Sequence, residues 1–281
     1  MEKEEKKETD IEQALRILRK FKDVDVLMAV HKSGIYERFT KSVPKPPGIE
    51  DIQKIPKISP ESKKKWIEEL KENRERRGEQ VKSEKALEDT PVECVSKLFI
   101  GWNLISIPLD TGDSSVSDLI PSHLRSSLTP WYWFDCEKNT YVDVSDLPNN
   151  FSRSYWVPSY TKDIITLVLR GIPIRKWSTS VCAGWNMTGS VLCSPCSDCY
   201  RDMLEIFIPL IPPKGFKTSA GFIPPAYRYL PMTPSNDYFY VDSLSIYPFM
   251  GYWTNFKFSG TLTLDFCEIE ACQYLIKEQC L

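Results

Sequence analysis

The sequence predicts a mostly β protein: two tandem β-sandwich-like repeats preceded by a helical, proline-tethered N-terminal arm. Three observations carry this. The stretch "GWNLISIPL" at 101–109 returns as "GWNMTGSVL", with Gly184 standing 83 residues after Gly101. Charge is segregated: residues 1–90 hold 22 Lys+Arg and 20 Asp+Glu, while seven of the eight tryptophans and all nine cysteines follow residue 90. That second part also breaks into short β-branched and aromatic runs separated by Pro, Gly, Asn and Asp, the pattern of strands and turns.

Residues 1–40 read as an amphipathic helical arm. Thr9 and Glu12 have capping-box spacing, and Ile11, Leu15 and Leu18 form a stripe that Ala14 and Phe21 widen. Residues 41–60 carry Pro44, Pro46, Pro47, Pro56 and Pro60 with no helical period, so they should run extended over a surface. Residues 61–96 read as a charged helix and linker. Ser59 is placed to cap, Pro60 to start and Gly78 to end that helix, and Trp66, Ile67 and Leu70 give it a thin apolar stripe. The run "KENRERR" interleaves acids with bases, which points to pairing within the helix rather than to a nucleic-acid face.

Residues 97–181 and 182–281 are the two β repeats. After Trp102 come "WYWFD", "YVDVSDL", "SYWV" and "DIITLVLRG"; after Trp185 come "AYRYL", "YVDSLSI", "GYWT" and "SGTLTLDF", in the same order. The Trp-to-Trp span is 54 in the first copy and 68 in the second, so the second carries an insertion, placed in the Cys- and Pro-rich run from Cys193. "WNLISIPL" lacks one-sided alternation and fits a strand buried on both faces.

These residues resemble the tandem GWNLISxP/GYWV repeat of exported and surface-associated bacterial and archaeal proteins. "GWNMTGSV" is similar to the variant that stands second in such pairs, and "PIRKWSTSVCAGWN" to the joint between copies. The resemblance spans about residues 97–268 and implies a β-sandwich, non-catalytic accessory module. Ser154 stands where that family has Gly, and "PNNFSR" replaces its Gly-rich turn.

The candidate chemistry is sparse. Cys193, Cys196 and Cys199 form C-x2-C-x2-C, and with Cys182 as a fourth thiolate they would suit zinc. Without such a site the chain needs no cofactor, and the odd cysteine count predicts mostly reduced thiols. His31 and His123 are the only histidines, and no nucleotide-binding motif is present, which argues against His-dependent catalysis and nucleotide chemistry. Asp143 and Asp242 occupy equivalent places in two separate repeats, so the expectation is turn capping rather than a shared acid/base cleft. Trp131 and Trp133 flank Tyr132 and are read as facing opposite ways, which would leave one at the surface to stack on a sugar or a protein partner, while burial of both in the core is the favoured reading. With Tyr155 and Tyr252 they make the candidate aromatic binding set.

The resulting expectation is a non-enzymatic structural or interaction protein. It would be an assembly subunit of a surface layer or virus particle, with β-domains as wall and residues 1–80 reaching a protein partner or another copy. A carbohydrate-binding accessory module is the alternative, and a hydrolase the third reading. The net charge of −2 argues against nucleic acid as partner. No run of apolar residues suits a membrane span, and the first residues lack the apolar core of a secretory leader, which favours an intracellular or virion location.

Overall fold

The computed structural model describes residues 43–48, 52–83, 91–191, 215–230, 239–242 and 249–265. The helix expected within 1–40, and the insertion with Cys193, Cys196 and Cys199, lie outside the described residues. The chain divides into two compact units, Met1–Pro44 and Lys45–Leu281, and the second holds the β body.

The fold is mostly β and duplicated strand for strand. A helix, α1 (Pro60–Ser83), comes first. Copy one supplies β1 (Val92–Leu98), β2 (Gly101–Ser106), β3 (Leu109–Asp110), β4 (Tyr132–Asp135), β5 (Thr140–Asp143), β6 (Ser154–Ser159) and β7 (Ile165–Pro173), with a short helix α2 (Arg125–Leu128) before β4. Copy two supplies β8 (Lys176–Val181), β9 (Gly184–Thr188), β10 (Phe216–Thr218), β11 (Phe222–Leu230), β12 (Phe239–Asp242), β13 (Tyr252–Phe256) and β14 (Gly260–Asp265), so each repeat starts a strand earlier than the boundaries at 97 and 182 place it. Copy one forms the sheets β1-β7-β3 and β2-β6-β4-β5. Copy two forms β8-β14-β10 and β9-β13-β11-β12, the same order position by position. All strand pairs are antiparallel.

The repeated Gly-Trp-Asn is a corner device used twice. Gly101 and Gly184 adopt φ of 87° and 92°, the left-handed region that a side chain disfavours. The following Asn ties the corner. Asn103 accepts from Phe99 N–H (2.8 Å) and donates to the carbonyls of Phe99 (2.8 Å) and Gly101 (3.1 Å). Asn186 does the same with Cys182 (2.9 Å each way) and Gly184 (2.9 Å). Trp102 and Trp185 are each the second residue of equivalent strands. Trp102 meets Tyr132 and Trp156 edge-on, and Trp185 meets Tyr227 and Trp253 likewise.

The two four-stranded sheets face each other, and β2 is buried from Trp102 to Ser106, as the pattern of "WNLISIPL" predicts. The contact obeys an approximate two-fold relation. Trp156 of copy one packs edge-on against Tyr229 of copy two (5.0 Å), and Phe134 of copy one against Trp253 of copy two (5.3 Å). Backbone bridges join Ile105 to Met250 and Arg153 to Thr188, and Ser106 N–H donates to Phe249 O as Gly189 N–H donates to Ser152 O. The approach is close enough to demand glycine. A Cβ on Gly189 would lie 2.3 Å from Phe151 O, and one on Gly251 2.6 Å from Ser154 Cβ. The opposite face of copy two's sheet closes its own core, where Tyr252 and Phe256 meet Trp177, Leu262 and Leu264 of the three-stranded sheet.

The described part of the proline-rich segment runs along this body, extended apart from a 3-10 turn at Ile52–Lys54 that its prolines did not announce. Lys57 forms a parallel bridge to Asp143, Asp143 N–H donates to Pro56 O (2.9 Å) and Tyr141 Oη donates to Lys45 O. Helix α1 starts as expected, with Ser59 Oγ accepting from Ser62 N–H (3.3 Å). It does not stop at Gly78: the glycine sits in helical conformation with open space around it, and the helix-favouring residues after it extend the helix to Ser83. No described helix is long and apolar enough to cross a membrane.

Candidate functional site

Helix α1 lies across the junction of the two repeats and forms one wall of a groove. Its contact stripe is Ser62, Trp66, Leu70 and Asn73, spaced at helical intervals and each at most 7% exposed. Trp66 packs edge-on over Trp133 (5.3 Å) and donates from Nε1 to Pro148 O (3.0 Å). Leu70 joins the core of copy two. Asn73 pairs with the backbone of Ser178 on β8, donating to its carbonyl and accepting from its N–H, both at 2.8 Å. Towards the C-terminal end, Arg74 (3.0 Å) and Arg77 (2.8 Å) share the buried carboxylate of Asp110.

Glu69 is the electrostatic centre of this docking. Its Oε1 accepts from Asn150 Nδ2 (3.0 Å), Ser152 Oγ (2.6 Å) and Arg153 Nε (3.1 Å), and its Oε2 accepts from Arg153 Nη2 (2.5 Å). Both side chains are nearly buried, at 13% and 10% exposed. The Arg153 guanidinium also lies 5.1 Å from the centroid of the Trp133 ring.

Between α1, the β4–β5 turn and the β8/β14 end of copy two is a groove of about 700 Å³. Tryptophans 66 and 133, several carboxylates and the Ser178–Cys182 stretch line it. A disulfide, Cys136–Cys182, sits at its margin and ties the first repeat to the second. With its ends 46 positions apart in sequence, loop closure gives it a contribution of about 4 kcal/mol.

Chemically the groove is quiet. Asp135 Oδ2 accepts from Ser62 Oγ (2.7 Å), and its Oδ1 caps the turn at Glu137 N–H (3.1 Å). Glu137 pairs with Lys65 (2.6 Å), which raises the Lys65 pKa through that hydrogen bond, and Glu72 pairs with Arg76 (3.2 Å). Each of these carboxylates has its own hydroxyl or cationic partner. Asp143 behaves as a turn cap: its Oδ1 accepts from Ser145 N–H (2.9 Å) and Ser145 Oγ (2.6 Å).

The aromatic set requires correction. Trp131 (0% exposed), Trp133 (7%), Tyr155 (0%) and Tyr252 (1%) are all buried, so none offers a free stacking face. Trp131, just before β4, and Trp133 on it do not face opposite ways but meet one aromatic cluster with Trp66 and Tyr155. Trp131 rests on Tyr155 (5.5 Å), while Trp66 and Arg153 cover Trp133. The charged helix that precedes the repeats supplies the lid. Cys182 is corrected too: its sulfur is bonded to Cys136, which removes it from a four-thiolate site and from the reduced thiols expected. Sequence alone does not single out Trp66, Glu69 and Arg153 as a set, although a lone Trp in a charged helix, followed by Leu70 and Asn73, is the available signal.

Tyr155 gives an alkaline signature. Its Oη donates towards Asn149 Oδ1 (3.0 Å) and accepts from Asn150 N–H (2.8 Å). Burial pushes its pKa far up, and burial raises Tyr132 in the same direction. A raised folded pKa means that stability is fully present below the ordinary value of 10.0 and is lost as pH climbs above it. Each pH unit past that point should cost up to about 1.4 kcal/mol for Tyr155 alone. Absorbance titration of tyrosinate alongside circular dichroism should show one tyrosine class ionising only as the fold is lost. Smooth titration of all tyrosines in a folded protein would contradict this.

Comparison with protein-family models, with curated proteins and with solved structures finds no match to this chain.

Proposed function

We propose that this chain is a non-enzymatic structural or interaction protein, a subunit of a larger assembly such as a surface layer or virus particle. In this reading the duplicated β body is a wall element of the GWNLISxP/GYWV kind, and residues 1–42 are its reaching arm. The observation that carries the reading is where the reactive and adhesive side chains go. Aromatic residues interlock the two repeats, and the groove's carboxylates close on internal partners, so the body is built for rigidity. The contact stripe of α1 is already spent on the β body, which leaves the Ile11/Leu15/Leu18 stripe as the arm's docking face. A carbohydrate-binding role loses support with the burial of its four aromatics.

Light scattering and native mass spectrometry provide the test. The full chain, or the complex isolated with it, is expected to show a mass several times the chain's 32.5 kDa, and deleting residues 1–42 should lower that mass while leaving the β signal in circular dichroism intact. A full chain that stays a monomer, or an assembly indifferent to the deletion, would overturn the arm's role.

A further inference from the structure

The duplication exposes a difference between equivalent strand edges. On β8 the outward edge is plugged: Asn73 of α1 occupies the backbone of Ser178, and Asn186 that of Cys182. Among the described residues, the equivalent strand β1 has an Asn plug only beyond its end, at Phe99. Ile174 N–H donates to Pro108 O, so the even-numbered residues of β7 turn their backbone groups towards β3 and away from β1. Their partners on β1, which are Glu93 facing Arg170, Val95 facing Val168 and Lys97 facing Thr166, therefore point N–H and C=O outward. No described residue hydrogen-bonds those groups. On the outer face Val95 (36% exposed) and Val168 (46%) form an adjacent apolar pair.

We propose that the β1 edge binds the β1 edge of a second copy, antiparallel and centred on Val95. The argument is self-complementarity. In that register Val95 faces the second copy's Val95, and Glu93 faces the second copy's Lys97 at both ends. Every facing residue with outward backbone groups thus meets either itself or its opposite charge. Three such pairs exchange about six backbone hydrogen bonds. Glu93 already pairs with Arg170 (2.6 Å), so the incoming lysine completes a cation–carboxylate–cation row, and four valines line up across the joint. The result is one continuous six-stranded sheet, β3-β7-β1 joined to its mate. A foreign strand would need to reproduce this charge order, whereas a second copy carries it.

This interface uses none of residues 1–42, so it stands or falls apart from the arm. The test uses the full chain in sedimentation velocity. Lys97→Glu places like charges together at both ends and should weaken self-association about tenfold or more, while the double variant Glu93→Lys/Lys97→Glu should restore it. In addition, Val95→Cys should give covalent dimers on mild oxidation, because facing hydrogen-bonded residues sit about 5.5 Å apart. Val168→Cys, roughly 14 Å from its mate, should add none above the wild-type background. A wild-type chain that does not self-associate overturns the proposal, as does self-association untouched by Lys97→Glu together with no crosslink from Val95→Cys. Loss of mass on deleting residues 1–42 with no response to Lys97→Glu would keep the arm and reject this edge.

Discussion

Glu69→Ala is expected to lower stability by about 3–5 kcal/mol, the cost of leaving a buried cation without its partner. Arg153 is 10% exposed and donates two hydrogen bonds to the Glu69 carboxylate. Without the carboxylate it keeps only the Trp133 face, and Asn150 Nδ2 and Ser152 Oγ lose an acceptor. The double variant Glu69→Leu/Arg153→Met should cost less than the single one, because no buried charge remains. Urea denaturation curves measure both. A single-variant loss below about 1 kcal/mol would mean that α1 is held by its apolar stripe and not by this ion pair.

The second large effect tests the interlock. Trp156→Ala and Trp253→Ala should each cost about 3–5 kcal/mol, and by similar amounts. Both rings are 0% exposed, and each packs on an aromatic of the opposite repeat. Among the described residues neither buried indole Nε1 group has a hydrogen-bond partner, so the loss is one of packing. Phe at either site should cost less than Ala, since it keeps an edge-on ring and removes an orphaned donor. Strongly unequal losses would show that the approximate two-fold relation does not extend to energetics.

The fold is largely legible in the sequence because its signals are local. The Gly-Trp-Asn corners declare themselves through a glycine that must take positive φ and an asparagine that ties the chain to itself four residues back. The order of short strands follows from repeated motifs, and the mostly extended course of the described residues of 41–60 from its prolines. The site is less legible because it is made by tertiary contact. Trp133 looks available on a strand and is buried because Trp66, distant in sequence, and Arg153 lie on it. Glu69 looks like one more solvated helix charge, and nothing local distinguishes it from Glu68 or Glu72. Cys182 has metal-ligand spacing to Cys193, yet the thiol it bonds belongs to a turn in the other repeat. The unplugged edge of β1 emerges only when two structurally equivalent strands are set side by side.

The exchange of aromatics between repeats also has a consequence for how the chain is made. A ribosome releases copy one before copy two exists. At that moment Trp156 and Phe134 are already built, while Tyr229 and Trp253, which will cover them, are not yet translated. The nascent first repeat therefore presents a bare aromatic sheet face for the whole interval, the kind of surface that holdase chaperones occupy and that neighbouring nascent chains on a polysome can capture. A slow stretch of translation between the copies would lengthen that exposure, and the yield of soluble protein should fall with it.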